Sequence, residues 1–169
     1  YIPMYYTRLI QRILHKTIDT NLPKYKVETS SDLHKYTKKS LISTTQDEEH
    51  QYRLIHTPNQ TVYANRPHKY QEGYKVFIST TTYYKVFVDN CGMTQSIVFI
   101  RCNNEEEANK ISVILKHPLY VFINNICRWG NFNNIRILQS FPITNSYETV
   151  MDDLNLTNKE KKFIMNQVK

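Results

Sequence analysis

Seven residues late in the chain, Arg128-Trp129-Gly130-Asn131-Phe132-Asn133-Asn134, concentrate side chains suited to one kind of chemistry, recognition by hydrogen bonding and stacking. An arginine fork can bond O6 and N7 of guanine, and an asparagine amide can bond N6 and N7 of adenine. An indole or phenyl ring can pack on a sugar or a thymine methyl. Arg128, Trp129, Asn131, Asn133 and Asn134 are therefore candidates for contact with base edges. Gln95, in the polar stretch Gly92-Met93-Thr94-Gln95-Ser96, is another. The competing reading has Trp129 and Phe132 anchoring the loop to the core while the asparagines satisfy a turn. Both readings stay open at the level of sequence.

Base contacts need phosphate contacts to set their register. Arg66, His68, Lys69, Lys75 and Lys85 are candidates for that role, with Tyr84 at the end of the turn Thr80–Tyr84. Single basic residues on strands and connectors are more often simply solvated. Catalytic chemistry has no comparable concentration of residues. The six histidines form no H-E-x-x-H arrangement. Asp89 ends a strand without an E-x-K partner, and Asp152-Asp153 is an isolated pair. No catalytic residue and no metal ligand is assigned, and a metal-dependent nuclease is the weakest of the functional readings.

The elements that must position these residues follow from periodicity. Leu9, Ile10, Ile13 and Leu14, with Tyr6 before them, lie at helical spacing among Arg8, Arg12, His15 and Lys16. Residues 1–22 thus read as a leading amphipathic helix, either a packing helix with a solvated basic face or, if the chain is a piece of a longer protein, one that packs on a neighbouring domain, and residues 23–169 as the main domain. Ser30, Ser31 and Asp32 precede Leu33-His34-Lys35-Tyr36 as helix caps. Tyr52–His56 and Thr61–Ala64 read as a hairpin around Pro58-Asn59. Lys75–Ser79, Tyr84–Asp89 and Ser96–Cys102 are rich in β-branched and aromatic residues, and the last is apolar enough to predict a central strand. Asn103 or Asn104 caps a helix with Glu105, Glu106 and Glu107 in its first turn. Pro118 starts a second helix, and Thr157 with Glu160 forms a capping box for a last one. The predicted fold is mixed α+β, a twisted sheet flanked by helices.

Composition sets the surroundings. A chain of 169 residues can bury roughly two thirds of its unfolded surface. Its formal charge of +7 favours phosphate, anionic lipid or acidic protein as partners. Aromatic residues make up 12% of the chain, 13 of them tyrosines. An A/T-rich coding sequence raises Tyr, Asn, Ile and Lys without functional cause, so placement counts for more than number. Cys91, Cys102 and Cys127 are odd in count and far apart, which argues against a disulfide framework and a zinc ribbon and points to a reducing, intracellular compartment. No stretch reaches the length of a membrane span. The chain opens on Tyr rather than Met, and the expectation is a piece of a longer protein.

Taken in order, residues 73–142 resemble the C-terminal target-recognition region of the adenine-specific DNA methyltransferases of Type II restriction–modification systems. The resemblance runs through K-V-F-I-S at Lys75, the acid-headed helix Glu105–Lys116, the L-x-x-P-L segment from Leu115, the W-x-x-F pattern at Trp129 and I-L-x-x-x-P from Ile137 to Pro142. The segment Leu154–Glu160 resembles the family's tail, so the likeness covers about the last two thirds of the chain. It implies a sequence-specific domain that binds double-stranded DNA and works with a methyltransferase catalytic domain, attached or separate. The parent enzyme would use S-adenosylmethionine. Two family features are missing here: no two of the six prolines are adjacent, so there is no N-P-P-Y, and the three glycines form no G-x-G. The chain itself is expected to carry no cofactor. The alternative reading is a protein-interaction or RNA-binding module.

Overall fold

The computed structural model describes residues 7–81, 83–128 and 130–168. Its elements run α1 (Arg8–Lys16), a 3-10 turn (Lys39–Leu41), β1 (Ile42–Ser43), β2 (Tyr52–Thr57), β3 (Gln60–Ala64), β4 (Lys75–Ser79), β5 (Val86–Asp89), β6 (Gly92–Met93), β7 (Ile97–Arg101), α2 (Glu105–Leu115), α3 (Pro118–Ile126), α4 (Ile135–Leu138), α5 (Val150–Asp153) and α6 (Asn158–Gln167). The fold is mixed α+β, with two sheets where one was expected. Their strand orders are β1-β3-β2-β6 and β5-β4-β7. Neighbours are antiparallel except β2 and β6, which run parallel.

Side-chain alternation along the strands stacks these parts into layers. Val76 and Ile78 of β4, with Val98 and Ile100 of β7, join the main core with residues from all six helices. Phe77, Ile97 and Phe99 face the other way, onto Ile55 and Met93 of the four-stranded sheet. Leu54, Val62 and Ala64 meet Leu33 on that sheet's far side. β4 is covered on both faces, and all five of its residues are buried. A strand in that position shows no apolar–polar alternation in sequence.

The central place expected for Ser96–Cys102 belongs to β4 instead; β7 ends the order of its sheet. Its outer side meets Glu28, whose N–H donates to the Phe99 carbonyl at 2.8 Å and whose carbonyl accepts from the Phe99 N–H at 3.0 Å. Arg101 clasps the same glutamate's carboxylate through Nε at 2.7 Å and Nη2 at 3.0 Å. Bridged at Phe99 on this side and buried from Ile97 to Ile100, β7 reads in sequence like an interior strand.

The helix ends follow their capping residues. Asn104 Oδ1 accepts the Glu107 N–H at 2.8 Å, below three carboxylates that suit the positive end of the α2 dipole. His117 Nδ1 accepts the Leu119 N–H at 3.0 Å, with Pro118 at the first position of α3. Both bonds of the Thr157–Glu160 capping box form on α6. The helix expected after Asp32 does not form; turns lead into the 3-10 segment. The Asp32 carboxylate accepts instead from the Lys69 N–H at 2.7 Å and pairs with Arg66 at 3.3 Å.

Leading helix α1 is part of the main body. Ile10, Ile13 and Leu14 are buried in the main core, each burial contributing about 1.5–3 kcal/mol. That outweighs the poor stability of an isolated nine-residue helix. The apolar face is thus taken up within the chain, as a packing helix requires, rather than left for a neighbouring domain; Tyr6, the first residue of that face, lies outside the described residues. Lys16 then pairs with Glu160 of α6 at 2.7 Å, and Glu160 is buried. No helix among the described residues is long and apolar enough to cross a membrane.

Candidate nucleic-acid interface

The loop after α3 is built on a buried amide relay. Asn124, on the inner side of α3, donates from Nδ2 to Asn133 Oδ1 at 3.1 Å. Asn133 Nδ2 donates to the Ser79 carbonyl at 2.7 Å, and the Asn133 N–H donates to the Thr80 carbonyl at 2.9 Å. Beside it, Phe132 forms an antiparallel bridge with Thr81. The loop is thereby sewn to the end of β4 and the turn that follows. Gly130 has φ +61°, the left-handed region that glycine enters without strain, and it turns the chain between Arg128 and Asn131.

This framework sorts the expected base contacts. Asn131 is exposed, and Phe132 projects with 61% of its surface free. Arg128 is half-buried, and its Nε is buried without an acceptor among the described residues. Two asparagines are corrected to structural roles. Asn133 is buried and holds the loop, and Asn134 Oδ1 accepts the Arg136 N–H at 3.1 Å to cap α4. Gln95 is likewise engaged within the chain: Oε1 accepts the Lys35 N–H at 2.9 Å and Nε2 donates to Ser96 Oγ at 3.1 Å. Trp129 lies outside the described residues.

The turn between β4 and β5 forms the other wall of the site. Ser79 Oγ donates to the Tyr83 carbonyl and accepts the Lys85 N–H at 2.9 Å. The turn lifts Tyr83 clear of the surface, 82% exposed, and leaves Lys85 exposed. Tyr84 turns inward, donating its hydroxyl to the Leu115 carbonyl at 2.6 Å. Burial, with the Tyr120 and Tyr25 hydroxyls nearby, pushes its pKa well above the ordinary value, so it stays protonated. It is a wall of the site, not a phosphate contact. Together Tyr83, Tyr84, Val121, Asn125, Arg128 and Gly130 line a cleft of about 470 Å³, and none of these residues is acidic.

Lys75 and His68 also lose their expected role as phosphate contacts. Lys75 is 1% exposed and donates to the carbonyls of Gly73, Cys91 and Glu72 at 2.7, 3.0 and 3.1 Å. Those bonds satisfy its charge internally, tying the loop before β4 to the turn after β5. His68 is buried as well: Nδ1 accepts the Tyr70 N–H at 2.8 Å, and Nε2 lies 3.0 Å from Ser30 Oγ. Desolvation, opposed by Asp32 and aided by Lys75, Arg66 and Lys69, lowers its pKa to about 4. The ring is neutral at ordinary pH, with its proton on Nε2.

Arg66 and Lys69 remain at the surface but apart from the loop. Arg66 is partly neutralised by Asp32, whose carboxyl is held below its ordinary pKa; burial opposes that shift, and the bonds from Arg66 and the Lys69 N–H outweigh it. Lys69 Nζ lies 5.2 Å from the Tyr70 ring centre. This group sits toward the Lys75 end of β4, and the Asn loop sits at the Ser79 end, roughly 13 Å along the strand. Lys85 is the expected phosphate contact that shares the loop's end. Arg136, exposed on α4 just after the loop, and Asn125, exposed on α3, were missed in the sequence. The signal for Asn125 was its place next to Asn124: adjacent helix positions face different ways.

The carboxylates weighed for a nuclease are engaged elsewhere. Asp89 accepts a two-pronged bond from Arg53 at 2.6 and 3.0 Å, Asp152 pairs with Lys161, and Asp153 accepts the Asn145 N–H at 2.7 Å. No group of three His, Cys, Asp or Glu able to hold a metal ion is present among the described residues. S-adenosylmethionine, implied for the parent by the resemblance, would need a glycine-rich turn after a strand. β7 leads directly into α2 through Cys102, Asn103 and Asn104, with no glycine and three glutamates following. These residues do not fit that group. No family model matches the chain, and a search of curated proteins finds none similar to it.

Proposed function

We propose that this chain is a sequence-selecting domain that binds double-stranded DNA and serves an adenine-specific methyltransferase catalytic domain, attached or separate. The observation that carries the reading is the amide relay Asn124–Asn133–Ser79. It fixes a loop that projects Asn131 and Phe132 and places Arg128 beside the Tyr83 turn. A rigid support for polar side chains is what base recognition requires, because a mobile arginine or amide discriminates poorly. Lys85 and Arg136, both exposed, supply positive charge on either side of the loop in sequence. Arg66 and Lys69 offer a second, partly neutralised contact with the backbone. The overall charge of +7 agrees with a polyanionic partner.

Fluorescence anisotropy with a labelled duplex tests this. Binding should weaken steeply with salt, with a log–log slope of about −0.9 per phosphate neutralised. A salt-independent signal, or none at low salt, rejects the proposal. Tyr83 and Phe132 also favour a second reading, a protein-docking module, because large exposed rings are common at interfaces. Recovery of a partner protein by a chain that ignores DNA would select it.

A further inference from the structure

The segment after Asp32 turns instead of forming a helix, and its bonds hold one ring out in solvent. Leu33 is buried with Leu54, Val62 and Ala64, which anchors the turn on the four-stranded sheet. His34 Nδ1 accepts the N–H groups of Tyr36 and Thr37 at 3.2 and 3.3 Å, and the His34 carbonyl accepts the Lys38 N–H at 2.9 Å. The Lys35 N–H donates to Gln95 Oε1 at 2.9 Å, and Lys38 Nζ donates to the Asp32 carbonyl at 2.8 Å. Tyr36 is left 58% exposed. The rings of His34 and His56 stand across it at steep angles, their centres 6.0 and 6.2 Å away.

The ring comes with cations already beside it. Lys35 Nζ lies 5.7 Å from the Tyr36 ring centre, and Lys39 is exposed at the end of the turn. Residues 33–46 contain no Asp or Glu. Asp32, just before them, is taken up by Arg66 and the Lys69 N–H. Gln95 also ties the turn to the end of β4 that carries the reading loop. The next carbonyl, that of Ser96, accepts from Thr80 Oγ1 at 2.7 Å, and the Thr80 carbonyl accepts the Asn133 N–H at 2.9 Å. A duplex has little to give such a ring, because each of its base faces is covered by the next base. An unpaired strand exposes base faces and phosphates together, and a ring flanked by lysines matches both.

We infer that the turn over residues 33–39 binds single-stranded nucleic acid, with one base stacked on Tyr36 and the flanking phosphates on Lys35 and Lys39. The inference goes beyond the duplex-binding proposal and does not depend on it. Every base has a face to stack, so this surface is indifferent to sequence where the reading loop is selective.

Anisotropy titrations of the full chain test it, using labelled single strands of about 12 nucleotides, one DNA and one RNA of the same sequence, beside a duplex. The single strands should bind with a log–log salt slope of about −0.7 per phosphate neutralised. Tyr36→Ala should weaken them by about tenfold or more, and Tyr36→Phe, which keeps the ring, should not. Lys35→Gln and Lys39→Gln should each lower the slope by about 0.7. Binding of only the DNA or only the RNA strand supports the inference and names the sugar the turn takes. No single-strand binding at low salt, or binding that Tyr36→Ala leaves unchanged, overturns it. The duplex arm keeps the two proposals apart. A chain that binds duplex but no single strand loses this inference alone, and one that binds single strands but no duplex loses the earlier proposal alone.

Discussion

Asn133 donates from its side-chain amide to the Ser79 carbonyl at 2.7 Å, a bond between residues 54 positions apart that fastens the loop after α3 to the end of β4. With the Asn133 N–H bond to the Thr80 carbonyl and the Phe132–Thr81 bridge, it holds what the loop presents. Asn133→Ala leaves the buried Nδ2 of Asn124 without its acceptor and the Ser79 carbonyl without this donor. The expected cost is about 1–3 kcal/mol, read from urea unfolding. Duplex binding by the folded variant should keep its salt slope and lose sequence preference.

Arg128 and Lys85 should separate by the kind of contact they make. Arg128→Ala should reduce the preference for a cognate site by about 1–3 kcal/mol and barely change affinity for random duplex. Lys85→Gln should weaken all duplexes alike and lower the salt slope by about 0.9. Parallel anisotropy titrations on cognate and random duplexes at several salt concentrations check both outcomes.

The buried His68 ring makes stability depend on pH. Its folded pKa is about 4 against an ordinary 6.5, so the unfolded chain binds more protons between those values. Its contribution is complete above about 6.5, declines as pH falls, and is lost below about 4. The total is about 3 kcal/mol. Urea midpoints measured from pH 7.5 to 4.5 should show this decline. His68→Gln should flatten it, leaving the share due to His56 and His117, which burial also lowers.

Glu160 is held below its ordinary carboxylate range. Burial alone would raise its carboxyl, but the Lys16 bond, the Thr157 N–H and the Lys16 charge outweigh that and depress it. A depressed carboxylate stabilises above its unfolded value, and the contribution disappears as pH falls through the folded one. Lys16→Met removes the partner at 2.7 Å and leaves Oε2, which has no hydrogen-bond partner among the described residues, facing Arg12 at 4.0 Å. Because Lys16 is partly solvated, the expected loss at neutral pH is about 1–3 kcal/mol. Acid unfolding, followed by circular dichroism, should begin at a higher pH than in the parent chain.

Local signals in the sequence located the caps and most strands, because those signals act over four or five residues. Asn104, Pro118 and the Thr157–Glu160 pair each sit where their side chains predicted. The hairpin of β2 and β3 was legible for the same reason. Long-range pairings were not. β6 is two residues long and pairs in parallel with β2, a partner that no neighbouring residue announces, so the division into two sheets stayed hidden. Lys75 looked like a surface lysine because three carbonyls from two distant turns had to be assembled to hold it. Within the Asn-rich loop, residue type alone cannot separate Asn131 from Asn133. The bridge of Phe132 to Thr81 and the Asn133 bonds to Ser79 and Thr80 turn Asn133 inward, and those partners lie some fifty residues earlier.

The Glu28 bridge along β7 bears on behaviour at high concentration. A long apolar strand at a sheet margin is a template for pairing with another molecule, and such pairing seeds aggregation. Here the amide and carbonyl of Phe99 are both taken by Glu28, and the Arg101 guanidinium sits across the glutamate's carboxylate. A second copy of the protein finds neither a free hydrogen-bonding pair at that position nor an uncharged approach to it.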